Sequence, residues 1–407
     1  MTPELPACLP RKRVAIYSGA FGGNPDGAVR SLEKLCASLL DAKMDIGIWT
    51  FNPPERAIPG IRFFTLRSLP LLLDPGYRLA MPSRRLHAQL REFSPDIMHV
   101  AVPDLVGYWL SKFARREKIP LICSFHTDFV SYLRFFHLNW LRGLAWRYLA
   151  GFYNRSRVTL APSLVAAEML TLNGIRNVKI WSRGIDRSAF NPGYRSEKLR
   201  RNWLGGTRGF GVLYVGRLAP YKGLQTVVKV YRRFEKENMT ASVRFVIVGD
   251  GPLRKRLRQE MPNALFTGHL TGRGLAAAIA SGDALLFPST TETFGNVVQE
   301  ALASGIIPVV ADRGGCAEIV LESGGGLICR HEAAGDFFSA LIRLMGNPEL
   351  CSQLRERGEK WVRNRTWPRV NHAVIEIYSR LNDKKKLEQW PAQLDYFIAK
   401  PIIAEQE

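Results

Sequence analysis

The residues best suited to chemistry lie in the segment FPSTTETFGNVVQEALASG, residues 287–305. An apolar run ends there in a polar loop that carries Glu292, and a helix-like run begins near Phe294 and carries Glu300. This pattern predicts a buried strand, a loop and a helix. Free N–H groups at the start of a helix bind anions, and Gly295 lets a ligand approach the backbone closely. Two acids beside such a phosphate-binding turn suit a ligand with hydroxyl groups on both sides of its phosphates, which is the shape of a nucleotide sugar.

Two cations precede this segment, in YVGRLAPYKGLQTVV, residues 214–228. A predicted strand ends at Gly216, Arg217 follows it, and Lys222 stands at the start of a predicted helix. An arginine and a lysine at the carboxyl end of a strand can hold a diphosphate and stabilise the charge of a leaving group. In a basic protein Arg217 or Lys222 alone would be taken as an ordinary surface cation. Their interpretation as diphosphate-binding residues therefore depends on their occurring together with the 287–305 segment.

His126 is a third candidate, because it directly follows the apolar run PLICSF. A single histidine is usually structural, but a place at the carboxyl end of a parallel strand favours a role in ligand binding. The sequence contains no Asp-x-Asp and no Cys-x-x-Cys, so we expect no divalent metal and no other cofactor. The six cysteines are scattered, which predicts reduced thiols.

The elements that position these residues follow from an alternation of apolar and amphipathic runs, which predicts doubly wound parallel sheets. Strand-like runs occupy residues 14–18, 45–51, 61–66, 95–101, 120–125, 157–163, 209–216, 243–249, 263–268, 283–289 and 306–311. A polar, turn-rich stretch at 181–200 separates two series of runs, and 407 residues suffice for two cores. We therefore predict an α/β protein with two Rossmann-like domains facing across a cleft. The predicted domains are 1–190 and 191–365, with a helix at 366–381 that packs back on the first domain and a charged tail at 382–407.

The formal net charge of +21 predicts polyanionic partners. Residues 129–167 contain no acid, and within them residues 132–157 interleave five arginines with eight aromatic residues. Such a segment suits an interfacial helix on an anionic membrane. The alternative is that the aromatic residues face the domain core and the arginines face water. A basic nucleic-acid-binding protein would explain the charge, but it would not explain acids and glycines at strand ends.

A dinucleotide oxidoreductase is the nearest other enzyme class, because GAFGGN follows the first predicted strand. That class needs an acid at the tip of the second strand to bind a ribose hydroxyl. The second predicted strand is followed by Asn52 and Pro53 instead, which argues against this class.

Eight motifs together resemble those of retaining glycosyltransferase family 4. They are SFHTDF, LAPS, RGIDRSAFNP, VGRLAPYKG, VIVGDGPLRKRL, FTGHL, FPSTTETFGNVVQEALASG and PVVADRGG. The resemblance covers roughly residues 12–381, and it is greatest to GDP-mannose-dependent α-mannosyltransferases and to sulfoquinovosyl and glucuronosyl diacylglycerol transferases. It implies the GT-B fold, in which the second domain binds the donor and the first binds the acceptor.

The resemblance also implies roles for individual residues. The predicted catalytic residues are His126, Arg217, Lys222 and Glu292, and the predicted donor-binding residues are Gly27, Arg217, Lys222, Gly268, Leu270, Glu292, Phe294, Gly295, Asn296 and Glu300. By the resemblance, the two cations hold the diphosphate, Glu292 contacts sugar hydroxyls and Glu300 contacts the ribose. One departure is Asp26, which precedes Gly27 where relatives carry an Asn-Gly-Val loop and adds a negative charge near the expected phosphates.

The sequence thus predicts a retaining hexosyltransferase that uses a nucleotide diphosphate sugar, with GDP-mannose favoured, and a membrane lipid acceptor. The alternative is a UDP-sugar-dependent glucosyl or glucuronosyl transferase acting on diacylglycerol or on a soluble or lipid-linked polysaccharide precursor. The resemblance implies that no protein nucleophile is used and that the leaving phosphate oxygen takes the acceptor's proton. We expect a cytoplasmic protein, peripheral on the inner face of the membrane, and no nucleic-acid partner.

Overall fold

The computed structural model describes residues 12–22, 27–71, 74–204 and 209–381, so Asp26 and the predicted tail at 382–407 lie outside the described residues. The described chain divides into two compact units. Unit 1 contains residues 12–130, Leu138–Arg183 and 367–381. Unit 2 contains Ser131–His137 and residues 184–366. The last helix thus belongs to the first unit, and a seven-residue piece from the first half of the chain belongs to the second.

In the described part of unit 1 the strands form a seven-stranded parallel sheet and a separate antiparallel hairpin. The sheet strands are β1 (Arg13–Tyr17), β2 (Asp45–Thr50), β3 (Ile61–Thr65), β6 (Ile97–Val100), β7 (Leu121–Ser124), β8 (Val158–Ala161) and β9 (Val178–Ile180), and the hairpin is β4 (Ser68–Leu71) with β5 (Asp74–Ala80). The sheet order is β3-β2-β1-β6-β7-β8-β9. The chain therefore reverses its direction across the sheet between β1 and β6, which is the switch point where open α/β sheets bind ligands.

The helices of unit 1 are α1 (Gly27–Asp41), α2 (Arg84–Phe93), α3 (Leu105–Arg116), α4 (Phe129–Tyr132, whose last two residues fall in unit 2), α5 (Arg142–Tyr153), α6 (Leu164–Leu172) and α15 (Trp367–Arg380). Helices α1, α2, α3 and α15 are amphipathic and bury one apolar face, whereas α5 and α6 carry apolar residues on both faces. Helix α15 packs on α1, and the core contains Leu32, Leu35 and Val374. Asn371 joins these elements, because its side chain donates to Lys34 O and Ser38 Oγ and accepts from the indole N–H of Trp181.

In the described part of unit 2 the strands form a six-stranded parallel sheet. They are β10 (Phe210–Val215), β11 (Val243–Val248), β12 (Leu265–Gly268), β13 (Ala284–Phe287), β14 (Ile307–Ala311) and β15 (Leu327–Cys329). The order β12-β11-β10-β13-β14-β15 places a switch point between β10 and β13. The candidate residues 217, 222 and 292 follow these two strands, so the topology brings them to the edge of the sheet that favours ligand binding.

The helices of unit 2 cover its sheet, and their apolar faces form one continuous core with the strands. They are α7 (Glu197–Leu204), α8 (Leu224–Lys236), α9 (Arg254–Glu260), α10 (Gly272–Ala280), α11 (Asn296–Ala303), α12 (Gly315–Ser323), α13 (Ala334–Gly346) and α14 (Pro348–Arg363). The two parallel sheets with their helices confirm the predicted α/β class and its two Rossmann-like units. No described helix combines the length and the apolar character that crossing a membrane would require.

Replacing Asn371 should destabilise unit 1. The Asn371→Ala variant loses three hydrogen bonds in a fully buried position and leaves the indole N–H of Trp181 without its partner. The loss of these hydrogen bonds and the buried, unpaired groups left behind should together lower the free energy of unfolding by about 2–4 kcal/mol. Urea unfolding followed by tryptophan fluorescence measures this value. Asn202→Ala is the matched control, because Asn202 is an exposed helical asparagine in α7 and its loss should change the value by less than about 0.5 kcal/mol.

Candidate active site

The loop after β13 carries the first group of candidate residues. Glu292 lies in this loop, and α11 begins at Asn296 with Gly295 as its N-cap residue. The helix therefore begins two residues later than the sequence predicts. Glu300 is its fifth residue and is buried, with 5% of its surface exposed. The first N–H groups of an α-helix have no partner within the helix, and this is the general property that lets a helix start bind anions.

Lys222 and Glu292 form a close ion pair between the loops that follow β10 and β13. The distance from Lys222 Nζ to Glu292 Oε1 is 2.5 Å, and the two side chains are only 17% and 18% exposed. The hydroxyl of Ser289 donates to the same Oε1 atom over 3.0 Å. Both donors use Oε1, so the carboxylate is held from one side. Oε2 receives a hydrogen bond from neither Lys222 nor Ser289. Glu292 can therefore offer Oε2 to a hydroxyl group of a ligand.

The sequence predicts Lys222 at the start of a helix. In the structure it instead ends a 3-10 turn, Pro220–Lys222, that precedes α8. Burial alone would lower the pKa of its ammonium group, but the charge and the hydrogen bond of Glu292 raise that pKa well above its ordinary value. Since the folded-state pKa is raised, the stabilisation by this pair is complete at neutral pH. It is lost only as the pH rises through that raised value.

Two glycines allow the loops around this pair to come together. Gly223 has φ +69°, and a Cβ atom there would lie 2.3 Å from the carbonyl oxygen of Pro288. Gly295 has φ +103°, and a Cβ atom there would lie 2.5 Å from Cys316 Sγ. Both positions combine a positive φ with contacts that no side chain could make, so glycine is required at each. The two loops are consequently packed closely against each other and against α12.

The other predicted donor-binding residues of unit 2 lie at the ends of β10 and β12 and in the loop before α11. Arg217 follows β10 directly and is exposed, so its guanidinium group is accessible to a ligand. Gly268 ends β12 with φ +77°, and its carbonyl accepts from the N–H of Gly249 over 2.8 Å. Leu270 is half-buried against the core of unit 2, and Phe294 is buried in that core.

A short piece of chain, Ser131–His137, adds contacts within unit 2 that the sequence does not predict. The ring of Tyr132 stacks on the ring of Tyr221 at a centroid distance of 4.2 Å. The guanidinium group of Arg134 donates to Thr290 Oγ1 over 3.1 Å. Tyr221 and Thr290 belong to the two loops joined by the Lys222–Glu292 pair, so this piece supports the loops from the side.

In unit 1, His126 follows β7 and lies in a hydrogen-bonded group of side chains. Its Nε2 atom is 2.7 Å from Ser124 Oγ, and its Nδ1 atom is 3.1 Å from Arg183 Nη2. The guanidinium group of Arg183 also lies 4.7 Å from the ring of Trp181. Burial, the charge of Arg183 and the nearby His99 lower the pKa of His126 well below its ordinary value. Gly27 is the first residue of α1 in this unit, after β1.

Ser124, Ser289, Tyr221 and Arg183 are the contact residues that the sequence analysis did not single out. All four lie inside quoted motifs, namely SFHTDF, FPSTTETFGNVVQEALASG, VGRLAPYKG and RGIDRSAFNP, so the motifs locate them without giving their roles. Arg183 follows β9, a three-residue strand whose sequence, VKI, is too short to predict by its periodicity.

Comparison with known protein families gives two matches, one in each half of the chain. Residues 25–189 match the model described as Glycosyltransferase Family 4, and residues 196–361 match the model described as Glycosyl transferases group 1. The GDP-mannose-dependent alpha-mannosyltransferase of Mycolicibacterium smegmatis is 32% identical over 384 residues, which are 92% of this chain and 99% of that protein.

Further relatives are named as glycolipid synthases. The sulfoquinovosyl transferase SQD2 of Arabidopsis thaliana is 31% identical over 66% of this chain and 52% of its own length. The alpha-monoglucosyldiacylglycerol synthase of Acholeplasma laidlawii is 24% identical over 85% of this chain and 92% of its own length.

Among solved structures, Anabaena HepE in complex with UDP and glucose superposes with a TM-score of 0.72 at 18% identity. The match covers 91% of this chain and all of HepE. The sucrose-phosphate synthase of Thermosynechococcus elongatus has a TM-score of 0.75 at 19% identity, over 91% of this chain and 99% of its own. At these identities the two structures establish the fold, which is the GT-B fold that the motifs imply.

Breaking the Lys222–Glu292 pair from one side should destabilise unit 2. The Lys222→Met variant leaves a largely buried carboxylate without its cation, so the free energy of unfolding should fall by about 3 kcal/mol. In the double variant Lys222→Met/Glu292→Gln no charge is left unpaired, and at least half of that loss should be recovered. Urea unfolding of the four proteins of this cycle measures the coupling.

Arg233→Met is the control for that cycle, because Arg233 pairs with Glu237 at 2.8 Å but with side chains 53% and 42% exposed. Its loss should change the free energy of unfolding by less than about 1 kcal/mol. An equal loss in Lys222→Met and Arg233→Met would show that the buried pair has no special part in holding the loops.

Proposed function

Because the chain belongs to glycosyltransferase family 4, we propose that it transfers a hexose from a nucleotide diphosphate sugar to a membrane lipid, with retention of the anomeric configuration. GDP-mannose is the donor that we favour. The observation that carries the proposal is the Lys222–Glu292 pair at the switch point of unit 2, beside the start of α11. The similarity to GDP-mannose-dependent mannosyltransferases over almost their whole length supports the choice of donor.

In this proposal the donor diphosphate is bound by Arg217, Lys222 and the N–H groups at the start of α11. Arg217 and Lys222 carry the positive charge, and Lys222 has two further N–H donors after its bond to Glu292. Glu292 accepts from a sugar hydroxyl through Oε2, and Glu300 and the backbone from Gly268 to Leu270 contact the ribose and the base. These groups leave no need for a divalent metal in our proposal, because cations and oriented amides already offset the charge of the diphosphate.

The chemical step follows from this binding mode. The acceptor hydroxyl attacks the anomeric carbon on the face from which the diphosphate leaves, and a phosphate oxygen of the leaving group takes the hydroxyl proton. The bond from the anomeric carbon to the phosphate oxygen breaks as the new glycosidic bond forms, so the configuration is retained. Arg217 and Lys222 stabilise the charge that develops on the leaving diphosphate, and each should supply several kcal/mol of transition-state stabilisation.

The second candidate is a UDP-sugar-dependent glucosyl or glucuronosyl transferase acting on diacylglycerol or a polysaccharide precursor. It is favoured by the relatives named as alpha-monoglucosyldiacylglycerol synthases. Both candidates use the same site, because the diphosphate and the hexose meet the same side chains. They differ in the base and in the hydroxyl groups of the hexose.

A lipid acceptor requires the enzyme to reach a bilayer, and the outer face of α5 with the turn before it is suited to that purpose. Trp140 is 79% exposed and Leu144 is 63% exposed, and Tyr148 follows one turn later along the same stripe. Arg142 and Arg147 are exposed beside this stripe. We call these five residues the α5 surface. Its exposed apolar groups beside arginines match the interfacial region of an anionic membrane in our proposal, on the cytoplasmic face.

The donor specificity is tested by nucleoside diphosphate release. Purified protein is incubated with GDP-mannose, UDP-glucose, UDP-galactose or UDP-glucuronate, with and without anionic vesicles that contain diacylglycerol or phosphatidylinositol. We expect release from GDP-mannose that depends on vesicles, survives EDTA and falls at least a hundredfold in Arg217→Ala and Glu292→Ala. The Arg201→Ala variant, which alters an exposed arginine of α7, should keep full activity.

Release from a UDP-sugar alone would replace our favoured donor by the second candidate. Release from GDP-mannose that is independent of any lipid would keep the transferase and refute the membrane acceptor. Absence of release from every donor would refute the proposed function.

Membrane binding is tested by sedimentation with phosphatidylcholine vesicles that do or do not contain phosphatidylglycerol. In Trp140→Ser/Leu144→Ser the affinity for anionic vesicles should fall at least tenfold, because each large apolar side chain contributes on the order of 1.5 kcal/mol. In Arg142→Gln/Arg147→Gln the difference in affinity between the two kinds of vesicle should shrink by about thirtyfold, at roughly 1 kcal/mol for each arginine.

Leu321→Ser is the matched control for the apolar variant, because Leu321 lies on α12 and is 72% exposed. It should bind vesicles like the unchanged protein. Equal binding by Trp140→Ser/Leu144→Ser and Leu321→Ser would refute the α5 surface as the site of docking.

A further inference from the structure

A chain of hydrogen bonds joins His126 to the last helix of unit 1. His126 Nε2 is 2.7 Å from Ser124 Oγ, which is 2.8 Å from His99 Nε2. His99 Nδ1 is in turn 2.6 Å from the hydroxyl of Tyr378 on α15. At its other end, His126 Nδ1 is 3.1 Å from Arg183 Nη2. This chain of hydrogen bonds thus connects strands β6 and β7 and helix α15 with the segments that follow β7 and β9.

The members of this chain lie in the interior of unit 1, with His126 alone half-buried. His99, Ser124 and Tyr378 have no exposed surface, and Arg183 is 4% exposed. The ring of Trp181 holds the group from one side, since His99 and His126 both meet it edge to face at centroid distances of 6.1 and 5.8 Å. Buried polar side chains of this kind cost stability unless each finds a partner, so the chain restricts every ring to one orientation.

The direction of one bond is fixed by chemistry. A guanidinium group can only donate hydrogen bonds, so His126 Nδ1 accepts from Arg183 and carries no proton. In a neutral ring the proton is then on Nε2, which donates to Ser124 Oγ. A second proton on Nδ1 would point at an N–H group of Arg183, so the charged ring is disfavoured. The pKa of His126 is lowered, which also means that the charged ring is disfavoured.

The remaining bonds allow two arrangements, and His126 is the same in both. In the first, Ser124 donates to His99 Nε2 and His99 Nδ1 donates to Tyr378. In the second, Tyr378 donates to His99 Nδ1 and His99 Nε2 donates to Ser124. Either way both nitrogens of His126 are occupied by protein groups, and the proton stays on Nε2.

We propose that His126 is a neutral Nε2–H imidazole with no nitrogen available to take a proton from the acceptor, and that His99, Ser124 and Tyr378 are positioning residues that fix its ring. The role of the ring rests on the proposed function together with the catalytic role that the resemblance implies for His126. The tautomer rests on the hydrogen bonds alone. The proposal makes α15, the last described helix, a structural part of the site on β7.

The tautomer is tested by long-range ¹H–¹⁵N correlation spectra of the full chain at neutral pH, without donor. The signals of His126 are assigned by comparison with His126→Gln. We expect the pattern of a neutral ring protonated on Nε2. A ring protonated on Nδ1, or on both nitrogens, would overturn the proposal. This result does not depend on activity, so it stands apart from any failure of the proposed function.

The positioning role is tested with Tyr378→Phe, which removes the hydroxyl group and keeps the buried ring. With whichever donor is accepted, kcat should fall about tenfold with little change in the KM of the donor, because the ring of a predicted catalytic residue is then less well placed. Adding His99→Gln to this variant should lower kcat little further, since both changes break the same chain of hydrogen bonds. The ¹H–¹⁵N signals of His126 should shift or broaden in the same variants, while the proton stays on Nε2.

Tyr231→Phe is the matched control, because it removes a tyrosine hydroxyl that donates to Glu235 on α8 of unit 2. It should leave kcat and the spectrum of His126 unchanged. If Tyr378→Phe behaved like Tyr231→Phe in both measurements, the positioning role would be refuted. If kcat fell while the His126 signals stayed the same, the effect would be structural and the proposal would also fail.

Discussion

The ion pair between Lys222 and Glu292 is the contact on which the candidate donor site depends. It joins the loops after β10 and β13, which are neighbours in the sheet although their strands are separated by two others along the chain. Each loop alone is a short, polar connection with no core of its own. The pair ties them together at the switch point, and Gly223 and Gly295 remove the side chains that would keep the backbones apart. The position of the α11 start relative to the cations follows from this arrangement.

The same pair determines how charge is shared in the site. Because Glu292 neutralises much of the charge of Lys222, a bound diphosphate meets less net positive charge than the two cations suggest. Arg217, which is exposed, and the start of α11 must then supply a larger share of the attraction. A donor that carries both phosphates and hydroxyl groups satisfies the cations and the carboxylate together. A free phosphate satisfies only the cations, so in the proposed binding mode the complete nucleotide sugar should bind better than its fragments.

Much of the fold can be predicted from the sequence, because long apolar runs in a parallel sheet are distinctive. All eleven predicted strand runs overlap strands, from β1 to β14. The strands that the sequence analysis missed have physical reasons: β9 and β15 span three residues each, and β4 with β5 form a hairpin outside both sheets. The site is harder to predict. Motifs locate Arg217, Lys222 and Glu292, but the pairing of Lys222 with Glu292 and the chain from His126 to Tyr378 join residues far apart in the sequence, and no periodicity encodes such contacts.

The acid-free segment shows where pattern reasoning reaches its limit. The sequence leaves open whether its aromatic residues face the core or a membrane, and the structure buries some of them and exposes others. Trp146 and Phe152 are buried in unit 1, whereas Trp140 and Tyr148 are exposed. A helix with apolar residues on both faces has no clear amphipathic period, so hydrophobicity alone cannot assign its faces. The buried residues pack in the interior of unit 1, and Tyr148, although exposed, donates to Pro103 O and stacks on Tyr108. Trp140 is the most exposed of these aromatic residues, and the proposed docking on an anionic membrane would give its exposure a function.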